Sequence, residues 1–207
     1  MIPAMKTRFL IFLILLSVLA CKKDEEEPVE EEIIPDQLLG DTDAELLQSV
    51  FWSSIQATTT GERYSGSMTT YGFNLGRVEN VSRSPIHSFM ISRTNPDPIY
   101  YAYYSQRYPR TMPYGNDLTL KAHIKGVDLE GEGISLIIRC EDKSLAPVQV
   151  VTTEGSVSIK GTFDWTAYTV ELKDLQSTVD VLYVYLNYLP NTTGKVYFDD
   201  ITLTRTE

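Results

Sequence analysis

The chain has 207 residues, with 18 Lys and Arg against 28 Asp and Glu and a formal net charge of −10. An acidic surface without a basic stripe repels phosphate backbones, so nucleic acid is excluded as a partner. Only two cysteines are present, Cys21 and Cys140, too few for a disulfide framework.

The first twenty residues carry a short basic start at Lys6 and Arg8. An apolar run from Phe9 to Leu16 follows, then Ser17-Val18-Leu19-Ala20 before Cys21. This is the layout of a secretory signal peptide, too short for a stable membrane span. Small and aliphatic residues directly before a cysteine resemble the lipobox of bacterial lipoproteins. The resemblance implies cleavage before Cys21 and acylation of its thiol, which anchors the chain in a membrane. Loss of Lys6 and Arg8 leaves 16 basic against 28 acidic residues, a net of −12.

Residues 21–48 read as an acidic tether. From Lys22 to Glu32 the run KKDEEEPVEEE has no apolar periodicity and repels itself. Lysines followed by acids after such a cysteine are similar to the signal that sends lipoproteins of Bacteroidetes-type bacteria to the outer face of the outer membrane. From Ile33 to Gln48 the pattern is broken by Pro35 and Gly40, with at most one helical turn at Ala44–Leu47.

Residues 49–207 form the globular part. Thirteen tyrosines, abundant Val, Ile and Thr, and turn residues every ten or so positions predict an all-β fold, an antiparallel β-sandwich. In 117–125, Leu118, Leu120, Ala122 and Ile124 share one face, leaving Lys121 and His123 on the other. In 134–140 the inward set is Ile134, Leu136, Ile138 and Cys140, with Ser135, Ile137 and Arg139 opposite. In 179–189 Leu182, Val184 and Leu186 oppose Tyr183, Tyr185 and Asn187. The second sets predict an outer sheet face rich in aromatic and hydrogen-bonding groups. Cys140 reads as a small core residue.

Three C-terminal segments carry a family resemblance: Gly161 to Tyr168 (GTFDWTAY), Val179 to Leu186 (VDVLYVYL), and Thr193 to Leu203 (TGKVYFDDITL). Over Leu118 to Leu203 the chain resembles the galactose-binding-like jelly roll, most closely its cellulose- and xylan-binding modules. The resemblance implies a jelly roll with a groove lined by Tyr183, Tyr185 and Asn187, and Arg139 and His123 as neighbours. Aromatic faces stack on sugar rings while amide and guanidinium groups bond hydroxyls. Tyr103 and Gln106, from the tyrosine-dense run 99–108, and Trp52 are further candidates. The resemblance also implies a structural calcium at Asp199 or Asp200; calcium needs six or more oxygen ligands. Parity with Ile201 and Leu203 places Asp199 inward, where a bare carboxylate is costly.

With two histidines and no nucleophile, zinc or phosphate motif, nothing reads as a catalyst. The pairs Asp199/Asp200 and Glu141/Asp142 are sequence neighbours, so on a strand they cannot flank one glycosidic bond. The sequence therefore reads as a non-catalytic, lipid-anchored outer-membrane protein exposed at the cell surface. Its expected partners are a poly- or oligosaccharide, neutral because the surface is acidic, and an outer-membrane transporter or hydrolase. A structural or protein-interaction accessory lipoprotein is the alternative, with the same face as an interface.

Overall fold

The computed structural model describes residues 34–46, 51–65 and 71–206. The signal segment, Cys21 and the charge run to Glu32 lie outside the described residues. Among the described residues there is no helix. The eleven strands are β1 Ser53–Thr58, β2 Arg63–Ser65, β3 Asn74–Glu79, β4 His87–Arg93, β5 Tyr100–Tyr108, β6 Asp117–Glu130, β7 Ile134–Glu141, β8 Pro147–Thr152, β9 Gly161–Leu172, β10 Val181–Tyr188 and β11 Thr193–Thr206.

They form a jelly-roll β-sandwich of two antiparallel sheets. One has six strands in the order β2-β1-β5-β10-β7-β8, the other five in the order β3-β4-β11-β6-β9. The alternation along β6, β7 and β10 sorts residues as expected. Leu118, Leu120, Ala122 and Ile124 of β6 face Leu136, Ile138 and Cys140 of β7 and Leu182, Val184 and Leu186 of β10 in one core, all at most 1% exposed. Burial pushes the Cys140 thiol up to about 12, so it stays protonated and inert.

The domain starts earlier than the expected boundary at residue 49. Leu38, Leu39 and Ala44 are core residues, and the compact unit runs from Ile33 to Glu207. The cause lies in β11, whose pairing with β4 ends at Phe198. Its continuation would otherwise show an unpaired edge. Residues 36–42 cover that edge: Leu38 N–H donates to Leu203 O at 2.9 Å, Ile201 N–H to Thr42 O at 2.7 Å and Arg205 N–H to Asp36 O at 3.0 Å.

A bulge in β11 between Asp199 and Thr202, with Asp200 at φ 45°, rephases the strand. Val196 and Phe198 point into the core before it, and Ile201 and Leu203 after it. Asp199, in register with His123, thus leaves the core side, contrary to the parity argument.

Candidate functional site

The outer face of the six-stranded sheet carries a groove of about 830 Å³. Its floor is set by cross-strand register. Asn187 of β10 lies between Tyr103 of β5 and Ser135 of β7, Tyr185 between Ser105 and Ile137, and Tyr183 between Arg107 and Arg139. On β1, Ile55 lies opposite Tyr103 and Ala57 opposite Tyr101. Because β5 and β10 are neighbours, their outward residues merge into one surface although about eighty residues of sequence separate them.

Four tyrosines cross this floor as one aromatic path. The ring centroids of Tyr101 and Tyr103 are 5.9 Å apart and nearly parallel, Tyr103 and Tyr185 meet edge to face at 5.3 Å, and Tyr185 and Tyr183 are 5.9 Å apart. Such pairs hold each other in place; Tyr103 is buried among them, while the half-buried Tyr101, Tyr183 and Tyr185 keep ring surface open to a ligand. Burial raises the phenol of Tyr103, and burial with the nearby Tyr103 phenol pushes Tyr185 up to about 12. Both are therefore neutral hydroxyls able to donate or accept.

Polar groups flank the aromatics. Arg139 Nε donates to Glu141 Oε1 at 2.6 Å, with the carboxylate largely buried and the guanidinium partly open. Arg63, Ser53, Ser65 and Ser105 line the β1–β2 side, and Glu154, Leu189 and Pro190 the far end. Asn187 Oδ1 is buried there without a hydrogen-bond partner. The groove thus offers stacking surface, donors and acceptors side by side.

Of the expected ligand-binding residues, Tyr183, Tyr185, Asn187, Arg139 and Tyr103 meet in this groove. Three do not. Gln106 shares the inward parity of Ala102 and Tyr104, and its amide clasps the Gly40 backbone: Gly40 N–H donates to Oε1 at 2.7 Å and Nε2 to Gly40 O at 2.9 Å. Trp52 is 7% exposed, packs on Phe89 and donates from Nε1 to Asp41 O at 3.0 Å. His123 belongs to β6 in the other sheet, beside Asp199, and its outward face is on the opposite side of the molecule from the groove. Glu141 also lines the groove; it lies two residues past Arg139 on β7, and simple alternation, the signal that could have found it, puts it on the same face.

The calcium expectation at Asp199 and Asp200 does not fit the residues found. Asp199 is fully buried beneath the 83–84 loop and accepts four hydrogen bonds. Oδ2 takes Arg83 N–H at 2.6 Å and Ser84 N–H at 2.8 Å, while Oδ1 takes Ser84 Oγ–H and its neighbour's Asp200 N–H, both at 2.8 Å. Asp200 pairs with the Arg83 guanidinium. Donors occupy the lone pairs a cation would need. No group of three or more His, Cys, Asp or Glu able to hold a metal occurs among the described residues.

No family model and no curated protein matches the sequence. Several solved structures share the fold. A Stig cyclase from Fischerella sp. TAU superposes with a TM-score of 0.58 at 13% identity, covering 82% of this chain and 97% of the cyclase. The CBM22-1–GH10 modules of Clostridium thermocellum endo-1,4-beta-D-xylanase 10B, complexed with xylohexaose, give 0.53 at 16% identity over 84% of this chain. A family 61 carbohydrate-binding module complexed with β-1,4-galactotriose gives 0.52 at 11% identity, over 83% of this chain and all of that one. The chain spans 29% of the xylanase and 22% of a similar bacteriophage CBA120 tailspike domain, so each of those likenesses is to one part of a larger protein. At such identities the likeness establishes the jelly-roll fold.

Proposed function

We propose that this chain is a lipid-anchored protein of a bacterial cell surface whose jelly-roll module holds a neutral glycan in the tyrosine groove without cleaving it. One observation carries the reading: an unbroken path of Tyr101, Tyr103, Tyr185 and Tyr183 flanked by the Arg139–Glu141 pair and Asn187. A sugar ring has an apolar face that stacks on such rings and a rim of hydroxyls that needs donors and acceptors together. Carbohydrate-binding modules of the same fold, solved with xylohexaose and β-1,4-galactotriose, support it. Anchoring at Cys21 of an outer membrane, with a transporter or hydrolase beside it, would place the captured glycan where it is next used.

Glycan-array binding by the soluble chain from Ile33 to Glu207 tests the groove. Selective retention of a neutral glycan family is expected, and a blank array from folded protein overturns the reading. Leu145, 63% exposed, and Val150, 50% exposed, on the groove wall favour a second reading, a protein interface, which that blank result would promote. The anchor is tested separately: Cys21→Ser should move the protein from the membrane to the soluble fraction, and continued membrane retention counts against acylation.

A further inference from the structure

The tyrosine groove is adjoined by a second cavity. It has a volume of about 480 Å³ and lies where β7 begins, β8 has just ended and β10 hands over to Leu189. Glu154 and Leu189 line both cavities. The groove floor therefore ends at a shoulder made of two residues, with open space on either side of it. Beyond the shoulder the lining changes in character: Glu132, Ser156, Ser158 and Lys160 supply charge and hydroxyls, and Val157, 41% exposed, supplies an apolar patch. No tyrosine is among its lining residues.

The walls of this second cavity are pre-formed. Both ends of the 153–160 loop are tied to β7: Thr153 N–H donates to Leu136 O at 3.0 Å, Leu136 N–H to Thr153 Oγ1 at 2.9 Å, and Ile134 N–H to Ile159 O at 3.2 Å. Ile159 is 1% exposed and plugs the loop into the core. Within the loop, the N–H groups of Ser156 and Val157 and the Ser156 hydroxyl all donate to Thr153 O. On the facing side Gly133 N–H donates to Thr192 Oγ1 at 2.8 Å, and Leu189 N–H to Gly133 O at 3.0 Å. A site held by its own backbone does not have to be ordered when a ligand arrives.

We infer that this cavity is an additional sugar subsite, so that the module takes a chain long enough to pass from the tyrosine floor over Leu189 and Glu154 onto Val157 and Lys160. The inference rests on the glycan reading of the groove. The occupant is a further neutral sugar residue of the same chain, packing an apolar face on Val157 and sharing hydroxyls with Ser156, Ser158 and Lys160. Two carboxylates, Glu132 and Glu154, against the single ammonium of Lys160 disfavour a uronate there.

Isothermal titration of the Ile33–Glu207 chain with ladders of β-1,4-linked xylo-, gluco-, manno- and galacto-oligosaccharides, each from dimer to hexamer, tests this. For the ladder that binds, affinity should keep rising past the trimer, reaching about tenfold at the hexamer. In Val157→Asp and in Lys160→Ala the hexamer should fall back to the affinity of the trimer, whereas Tyr185→Ala should weaken trimer and hexamer alike. An affinity that levels off at the trimer, or exposed-loop variants that retain the full gain, overturns the subsite and leaves the groove standing. Failure of every ladder to bind folded wild-type protein overturns the subsite, and a glycan array that is blank as well overturns the groove with it.

Discussion

Arg139 Nε is bonded to Glu141 Oε1 at 2.6 Å along one face of β7, an ion pair between residues two apart on the same strand. Using Nε in this contact fixes the guanidinium plane and leaves its terminal nitrogens for a ligand, beside a carboxylate that accepts. Such a fork suits two adjacent hydroxyls of a neutral sugar. Arg139→Ala should weaken glycan binding about tenfold, the size of one charge-assisted hydrogen bond. Glu141→Gln, which loosens the fork but keeps its shape, should cost less. Equal affinities of wild type and Arg139→Ala by titration would remove the pair from the site.

Tyr185 links the two halves of the aromatic path, touching Tyr103 on one side and Tyr183 on the other. Tyr185→Ala should lower affinity by roughly 1–3 kcal/mol, the range measured for ring stacking on an aromatic side chain in another ligand class. Tyr185→Phe keeps the ring and should stay within a few-fold of wild type. Tyr103 is 6% exposed, so Tyr103→Ala should lower the melting temperature as well as binding. If Tyr185→Phe is as weak as Tyr185→Ala, the hydroxyl and not the ring makes the contact.

Much of this site was legible because strand alternation is local. Tyr183, Tyr185, Asn187 and Arg139 follow from the burial of Leu182, Val184, Leu186 and Ile138, and Glu141 follows from the same period carried one step further. What alternation cannot tell is which sheet a strand joins, so the outward parity of His123 does not reveal that β6 belongs to the five-stranded sheet. The run around Tyr103 and Gln106 has aromatics at both parities, so its inward set shows only once Ala102 pairs with Gln56. A bulge breaks the period altogether. Aspartate tolerates positive φ better than most residues, but β11 offers one at both 199 and 200, and parity alone puts Asp199 on the wrong side.

Asp199 organises the loop over the outer face of the five-stranded sheet by accepting from Arg83, Ser84 and Asp200. Asp199→Ala would orphan these donors, three of them backbone N–H groups, and should destabilise the fold by about 3 kcal/mol. Asp199→Asn keeps one acceptor but turns an NH₂ toward donors, and should be no better. Because those donors already saturate the carboxylate, adding a chelator should leave the melting temperature of the wild type unchanged. A chelator-induced drop that Asp199→Asn abolishes would reinstate a cation at this position.

Glu45 closes the other end of the same loop. Its Oε1 accepts from the N–H groups of Ile86 and His87 at 2.9 and 2.8 Å, and Oε2 lies 2.7 Å from His87 Nδ1. Burial works against the charge, but the His87 side-chain bond, the two backbone N–H groups and the His87 charge outweigh it, holding the carboxyl at about 2. A folded-state value below the unfolded one means that this contribution is fully present above the ordinary value of 4.5 and is lost as pH falls from there through about 2. Thermal melts of wild type should therefore be level with respect to this group down to pH 4.5 and steepen below it. Glu45→Gln should melt lower at neutral pH and show a shallower decline in acid, so that the two curves converge. Parallel curves across the whole range would mean that Glu45 titrates as it does in the unfolded chain and that its hydrogen bonds do not hold the loop.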